Sequence, residues 1–234
     1  MDVEEYARWV LAPPQPEEPV RPRESYFVCA TPRCGSWFLC GLLASTAVAG
    51  RPHEWFWRDT RTSLERLWRV GGDEYVELVL AAGTTPNGVF GAKVMFGALP
   101  DLTPFPDRRF IWMRRRDRVA QAVSFARAAQ SGHWHHWDPP PRCVPKYRFD
   151  AIDVLASEIK ELEQSWRRWF DESGVAPLEV AYEDLAAQPS GETARVLDFL
   201  GLTGAAEVRP LTVPSERTDD WAARYRAELT TQRA

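Results

Sequence analysis

The stretch from Glu24 to Gly50, ESYFVCATPRCGSWFLCGLLASTAVAG, constrains this chain more than any other. Tyr26 to Ala30 is an apolar run rich in strand formers and too short for a helix. Thr31-Pro32-Arg33-Cys34-Gly35-Ser36 breaks the run with Pro, Gly and hydroxyl residues. From Trp37 through Ala44 nearly every position is apolar, which predicts a buried helix. Strand, tight loop and helix together make an anion cradle, because the free N–H groups of the first helical turn and the positive end of its dipole meet where the loop ends. Arg33 adds a permanent cation and Ser36 a hydroxyl, so the loop reads as a phosphate or sulfate site.

Three loops of this shape can be tested against it. The nucleotide-hydrolase loop needs G-x-x-x-x-G-K-[ST], but Ser36 follows Gly35 and no Lys is present. A dinucleotide fingerprint needs three glycines, and Gly35 stands alone. A cysteine phosphatase needs Arg six residues after its Cys, where Cys34 has Cys40 and Cys29 has Gly35. What remains, T-P-R-x-G-S, resembles the 5′-phosphosulfate loop of sulfotransferases that use 3′-phosphoadenosine 5′-phosphosulfate (PAPS). More narrowly, PRCGSWFLCGLLASTAVAGRPHEWF is similar to the bacterial trehalose 2-sulfotransferase family, whose pattern runs P-R-S-G-S-T, an apolar helix, then G-x-P-x-E-[FY]-F. The resemblance implies donor contacts from Arg33, Cys34, Gly35, Ser36 and Trp37. Cys34 and Trp37 replace the usual Ser and Thr, so one hydroxyl contact is missing and donor affinity is expected to be weaker. A thiol at a helix N-terminus beside Arg33 is also expected to be reactive and shielded by donor.

The whole chain narrows the class further. Its 234 residues are enough for one sizeable α/β core, with residues 1–24 as a helix and Pro-rich arm and 25–234 as a single domain. A net charge of −4 leaves no electrostatic footprint for nucleic acid. Four cysteines without C-x-x-C or zinc spacing, no signal peptide and no membrane-length apolar run predict a reduced, cytoplasmic enzyme without a membrane span. Asp2–Leu11 is compatible with a short helix, and Pro13–Pro22 reads as a linker with no core of its own.

After the first helix, Gly50-Arg51-Pro52-His53-Glu54-Trp55-Phe56 is a turn with a carboxylate and an imidazole among aromatics. A carboxylate there is a candidate general base, and His53 is its rival. The family resemblance places its proposed base at Glu54, with acceptor contacts from Arg51, His53, Trp55 and Trp134. Trp55 and Phe56 are expected to raise the carboxyl pKa by desolvation. TPNGVFGAKVM also matches the family and puts Lys93 near the active site. Arg109–Met113 is a strand running into Arg114-Arg115-Arg116 at a helix start, a second anion site. By resemblance Arg115 and Ser124, nine residues apart, hold the donor's 3′-phosphate. His133, His135 and His136 fit no metal spacing and read as an acceptor-cleft or dimer-contact loop. Ile152–Phe170 is a long amphipathic scaffold helix. VAYEDL followed by VLDFLGL resembles the wider sulfotransferase superfamily and adds Tyr182. In the tail, Arg217 is a further donor candidate before a helix capped by Asp219 or Asp220.

Together these segments imply a mostly parallel sheet flanked by helices, with strands near 26–30, 89–95, 109–113 and 178–182. The implied reaction moves a sulfuryl group from PAPS to a small-molecule hydroxyl, catalysed by Glu54, Arg33 and Lys93 and needing no metal. A homodimer is expected as in the resembled family. Arg51 replaces an acidic sugar-site residue, and the segment Trp57–Thr85 is short for the trehalose branch, which favours a different sugar or a natural-product hydroxyl. A kinase-like phosphoryl transferase and a non-catalytic PAPS-binding module are the alternatives. The first lacks a P-loop Lys, and the second gives Glu54 no purpose.

Overall fold

The computed structural model describes residues 8–10, 12–18, 21–135, 138, 140–202 and 219–232. Strands β1 (Glu24–Ala30), β2 (Val89–Met95), β3 (Arg108–Arg114) and β4 (Leu178–Ala181) form one parallel sheet in the order β2-β1-β3-β4. Val28 pairs with Lys93 on one side and with Ile111 on the other, and Met113 pairs with Val180. The helices are α1 (Ser36–Ser45), α2 (Arg58–Trp68), α3 (Gly72–Gly83), α4 (Arg118–Ser131), α5 (Phe149–Ser173), α6 (Tyr182–Ala187), α7 (Pro189–Phe199) and α8 (Asp219–Gln232).

Because β1 is central, its side chains alternate into two cores. Tyr26, Val28 and Ala30 pack with Leu39, Leu42 and Leu43 of α1 and Val196 of α7. Phe27 and Cys29 face Trp55, Trp68, Tyr75, Phe90, Trp112 and Trp166. Every residue from Ser25 to Ala30 is buried, which is why this strand reads as an unbroken apolar run instead of an alternating one. Full burial of a side chain like Phe27 contributes about 1.5–3 kcal/mol. β4 stops at Ala181, one residue short of expectation, because Tyr182 already begins α6.

The N-terminal arm is helical at residues 8–10, within the stretch expected to be helical, and the expected linker is tied down at Pro13. Val10 is buried, and Trp9 packs against both cores. Trp68 Nε1 donates to the Pro13 carbonyl at 3.0 Å, giving a buried indole its partner. Apolar burial at residues 9 and 10, with this bond, holds the segment down. Among the described residues no helix is long and apolar enough to cross a membrane.

The chain leaves β1 through α1–α3 to reach β2, then places β3 on β1's opposite side. The carboxyl ends of β1 and β3 therefore flank a topological switch point, where open α/β sheets bind ligands.

Candidate active site

The loop after β1 is shaped by two left-handed residues, Arg33 at φ 61° and Gly35 at φ 91°. Gly35 is also the N-cap of α1, and a Cβ there would collide with the ring of Tyr182. No side chain caps α1, so the first-turn amides remain for water or an anion. The non-glycine Arg33 in this region stores backbone strain that the surroundings must hold. Its guanidinium donates from Nε to Ser124 Oγ at 2.9 Å and from Nη1 to the Trp134 carbonyl. Gln121, fully buried on α4, donates to Thr31 Oγ1 at 2.9 Å and to the Pro32 carbonyl at 2.7 Å. Thus α4 pins the first half of the loop, at Thr31, Pro32 and Arg33.

Three consecutive arginines after β3 have different fates. Arg114 pairs with Glu179 at 2.9 Å, and Arg116 forks onto Asp184. Arg115 has no carboxylate within ion-pair distance among the described residues and lies over the Tyr182 ring at 4.7 Å. Gly35, Tyr182 and Arg115 therefore stack in one column beside the cradle.

Glu54 and Lys93 form the second half of the site. Lys93 Nζ donates to Glu54 Oε1, and the ammonium sits 4.5 Å from the centre of the Trp37 ring. Burial alone would push the Glu54 carboxyl up, as expected from its aromatic neighbours. The charge and hydrogen bond of Lys93, with smaller help from His53 and His135, reverse the sign and hold it below its ordinary value. That corrects the expected direction.

His135 stands edge-on to Trp37 with ring centroids 5.3 Å apart, and its Nδ1 is 3.5 Å from Asp138 Oδ1. Asp138 also accepts from the Trp134 and His135 amides at 2.6 and 2.8 Å. Burial, with the nearby Lys93 charge, pushes the His135 imidazole down to about 4. The Trp134 ring stays partly open beside Phe125.

Several expected contacts land elsewhere. Cys34 is fully buried within the α1 core, so its thiol faces apolar side chains and the expected reactivity is lost. Trp55 is fully buried with Nε1 donating to Gly91 O at 3.1 Å, which makes it core and not acceptor wall. The His53 imidazole is likewise buried, bonded through Nε2 to Val10 O at 2.7 Å. Arg51 turns its guanidinium onto the Ala82 carbonyl at the end of α3, at 3.3 Å, where the helix dipole is negative. The turn 50–56 alternates sides, and the side that buries aromatic rings carries its neighbours inward with it. Arg217 and His136 lie outside the described residues. Among the described residues no group of three His, Cys, Asp or Glu is arranged to hold a metal.

Gln121 and Asp138 were missed in the sequence, which reads His135 only as part of an acceptor-cleft or dimer-contact loop. Gln121 had a signal: a lone amide among Ala and Val, one turn before Ser124 and hence on the same helix face. Asp138 had none, because its partners are set by a local fold in an irregular, Pro-rich stretch.

A family model described as Stf0 sulphotransferase matches residues 25–108 and 103–228. The chain is 32% identical over 258 residues to a trehalose 2-sulfotransferase of Mycobacterium tuberculosis (strain ATCC 35801 / TMC 107 / Erdman), covering 89% of this chain and 96% of that protein. A trehalose 2-sulfotransferase of Mycolicibacterium smegmatis (strain ATCC 700084 / mc(2)155) is 29% identical over 253 residues, covering 87% and 95%. Among solved structures, the sulfotransferase domain from the Synechococcus PCC 7002 olefin synthase aligns with a TM-score of 0.44 at 17% identity, over 91% of this chain and 98% of that one. With the family model spanning most of its length, this chain belongs to the Stf0 sulphotransferase family.

Proposed function

We propose that this sulfotransferase uses PAPS as donor and a carbohydrate or natural-product hydroxyl as acceptor, with Glu54 as general base. The observation that carries the reading is the placement of Lys93. Its ammonium pairs with Glu54 and also lies on Trp37, in the first turn of the cradle helix. One cation thus joins the base to the donor loop.

In this mechanism the acceptor oxygen attacks sulfur in line with the bond to the 5′-phosphate oxygen. The new S–O bond forms as the old one breaks, and the hydroxyl proton passes to the Glu54 carboxylate. Charge grows on the departing phosphate, where the α1 amides, Arg33 and Lys93 meet it. Positioning does most of the work, as in phosphoryl transfer. Arg115, unpaired by carboxylate among the described residues, and Ser124 take the 3′-phosphate, with Tyr182 closing the column. A low pKa makes Glu54 a ready proton acceptor at neutral pH, at some cost in base strength.

The relatives are trehalose 2-sulfotransferases, so a sugar is the first class of acceptor to try. Radiolabelled PAPS incubated with trehalose and a panel of sugars and metabolites tests the reading. Label appearing in an acceptor with wild type, and not with Glu54→Gln, supports it. Transfer from ATP with Mg²⁺ and none from PAPS would overturn it.

A further inference from the structure

We propose that His53 is a positioning residue for Glu54, and that Trp9, Val10 and Pro13 of the N-terminal arm hold His53 in that role. This rests on Glu54 being the general base. The His53 carbonyl accepts the Lys93 amide at 2.9 Å, which ties the backbone beside Glu54 to the strand that carries its ionic partner. Neighbours in an extended segment point to opposite sides, so Glu54 meets Lys93 while the imidazole turns inward.

The inward ring is held on every side. Trp55 stacks on it with centroids 4.8 Å apart, and the edges of Trp9 and Trp37 close in at 5.8 and 5.5 Å. Its Nε2 donates to the Val10 carbonyl at 2.7 Å, which assigns the proton to that nitrogen and leaves Nδ1 without a hydrogen-bond partner. A buried, neutral, singly bonded imidazole is poorly placed to take a proton from an acceptor and well placed to fix its neighbour. The arm belongs to the same unit: Trp9 also packs edge-on against Trp55, and Pro13 is tied to Trp68. Trp37 transmits the support further, since His53 stands against its ring and the Lys93 ammonium lies over that ring. The arm therefore braces both members of the Glu54–Lys93 pair.

The test uses the full-length chain with His53→Ala, His53→Gln and Trp9→Ala. A misplacement of about 1 Å costs on the order of 100-fold, so His53→Ala should lower kcat by roughly 10- to 100-fold while the affinity for adenosine 3′,5′-bisphosphate holds. His53→Gln, whose amide can donate to Val10 O, should recover most of the loss. Trp9→Ala should move kcat in the same direction by less. A second reading needs no acceptor: ¹³C NMR titration of the Glu54 carboxyl should shift upward in His53→Ala and Trp9→Ala and return in His53→Gln. A folded His53→Ala protein with unmoved kcat and titration would overturn the proposal, as would equal damage from Ala and Gln. If His53→Ala does not fold, Trp9→Ala decides by the same titration. If no acceptor is sulfated even by wild type, the general-base reading fails while the titration still reports on the brace.

Discussion

The two halves of the site are built on opposite plans. On the side proposed to hold the donor, the loop 31–35 offers mainly its main chain: left-handed Arg33 and Gly35 aim the amides, and Gln121 holds the shape. On the side proposed for the acceptor the groups are side chains, with Glu54 on Lys93, Trp37 between Lys93 and His135, and Asp138 behind His135. A main-chain site survives substitution at Cys34 and Trp37, because every residue but proline supplies an N–H. A side-chain site has no such tolerance, and its pKa values depend on what else is nearby. The donor half should therefore resist mutation of its ornaments, and the acceptor half should fail at single atoms.

The largest effect should come from the acceptor half. Glu54→Gln is expected to lower kcat by about 10²–10⁴-fold with bisphosphate affinity retained, as read by steady-state kinetics and calorimetry. A parallel loss of donor binding would break the division between the halves.

Next in size is a pH effect on stability. The folded His53 and His135 titrate at about 4, against about 6.5 in an unfolded chain. Between those values the unfolded chain binds more protons, so stability falls as pH drops from about 6.5 to about 4 and is unaffected by these groups below that. For His53 the loss is on the order of 3 kcal/mol. Glu54 shifts in the same direction, over a lower pH range: its contribution is complete above the ordinary glutamate pKa and disappears as pH falls through the lower folded value. Denaturant midpoints at pH 7, 5 and 4 for wild type and His53→Gln check the histidine part, and a slope that is the same in both would sink it.

Arg115→Ala tests the donor half at the arginine assigned to the 3′-phosphate. Losing a charge-assisted contact worth about 1.5–3 kcal/mol should weaken adenosine 3′,5′-bisphosphate roughly 10- to 100-fold and AMP little. Arg116→Ala removes the fork to Asp184 and a 3.7 Å ion pair to Glu183, and should leave both ligands nearly as they were. Equal losses for AMP and bisphosphate would remove the 3′-phosphate from Arg115. The smallest effect belongs to the thiol. Native protein treated with an alkylating reagent should be modified at exposed Cys143 and not at buried Cys34, with or without bisphosphate, by mass spectrometry.

How much of this was legible varies with the range of the interaction. The strand–loop–helix at 24–45 could be read residue by residue, since apolar runs, Gly35 and Arg33 are consecutive and their physics is local. Ser124 and Arg115 were singled out by resemblance to a known family along one strand-to-helix transition, and the fold sets Ser124 against Arg33 and Arg115 over the Tyr182 ring. The inward turn of His53 and Trp55 was not legible, because it depends on Trp9, Trp68 and Gly91 from three other segments.

The amino-acid sequence by itself determined the element order and the strand–loop–helix at 24–45, because periodicity, turn residues and helix-start amides act within a few positions of the chain, and its resemblance to a known family implied the parallel sheet. Only the tertiary structure decided the sign of the Glu54 shift, the burial of Cys34 and the role of the arm. Those outcomes are sums over groups far apart in sequence. A carboxyl beside two aromatic rings titrates high if it is alone and low if a lysine from another strand reaches it. Distance in space, which the chain order does not contain, sets which of the two holds.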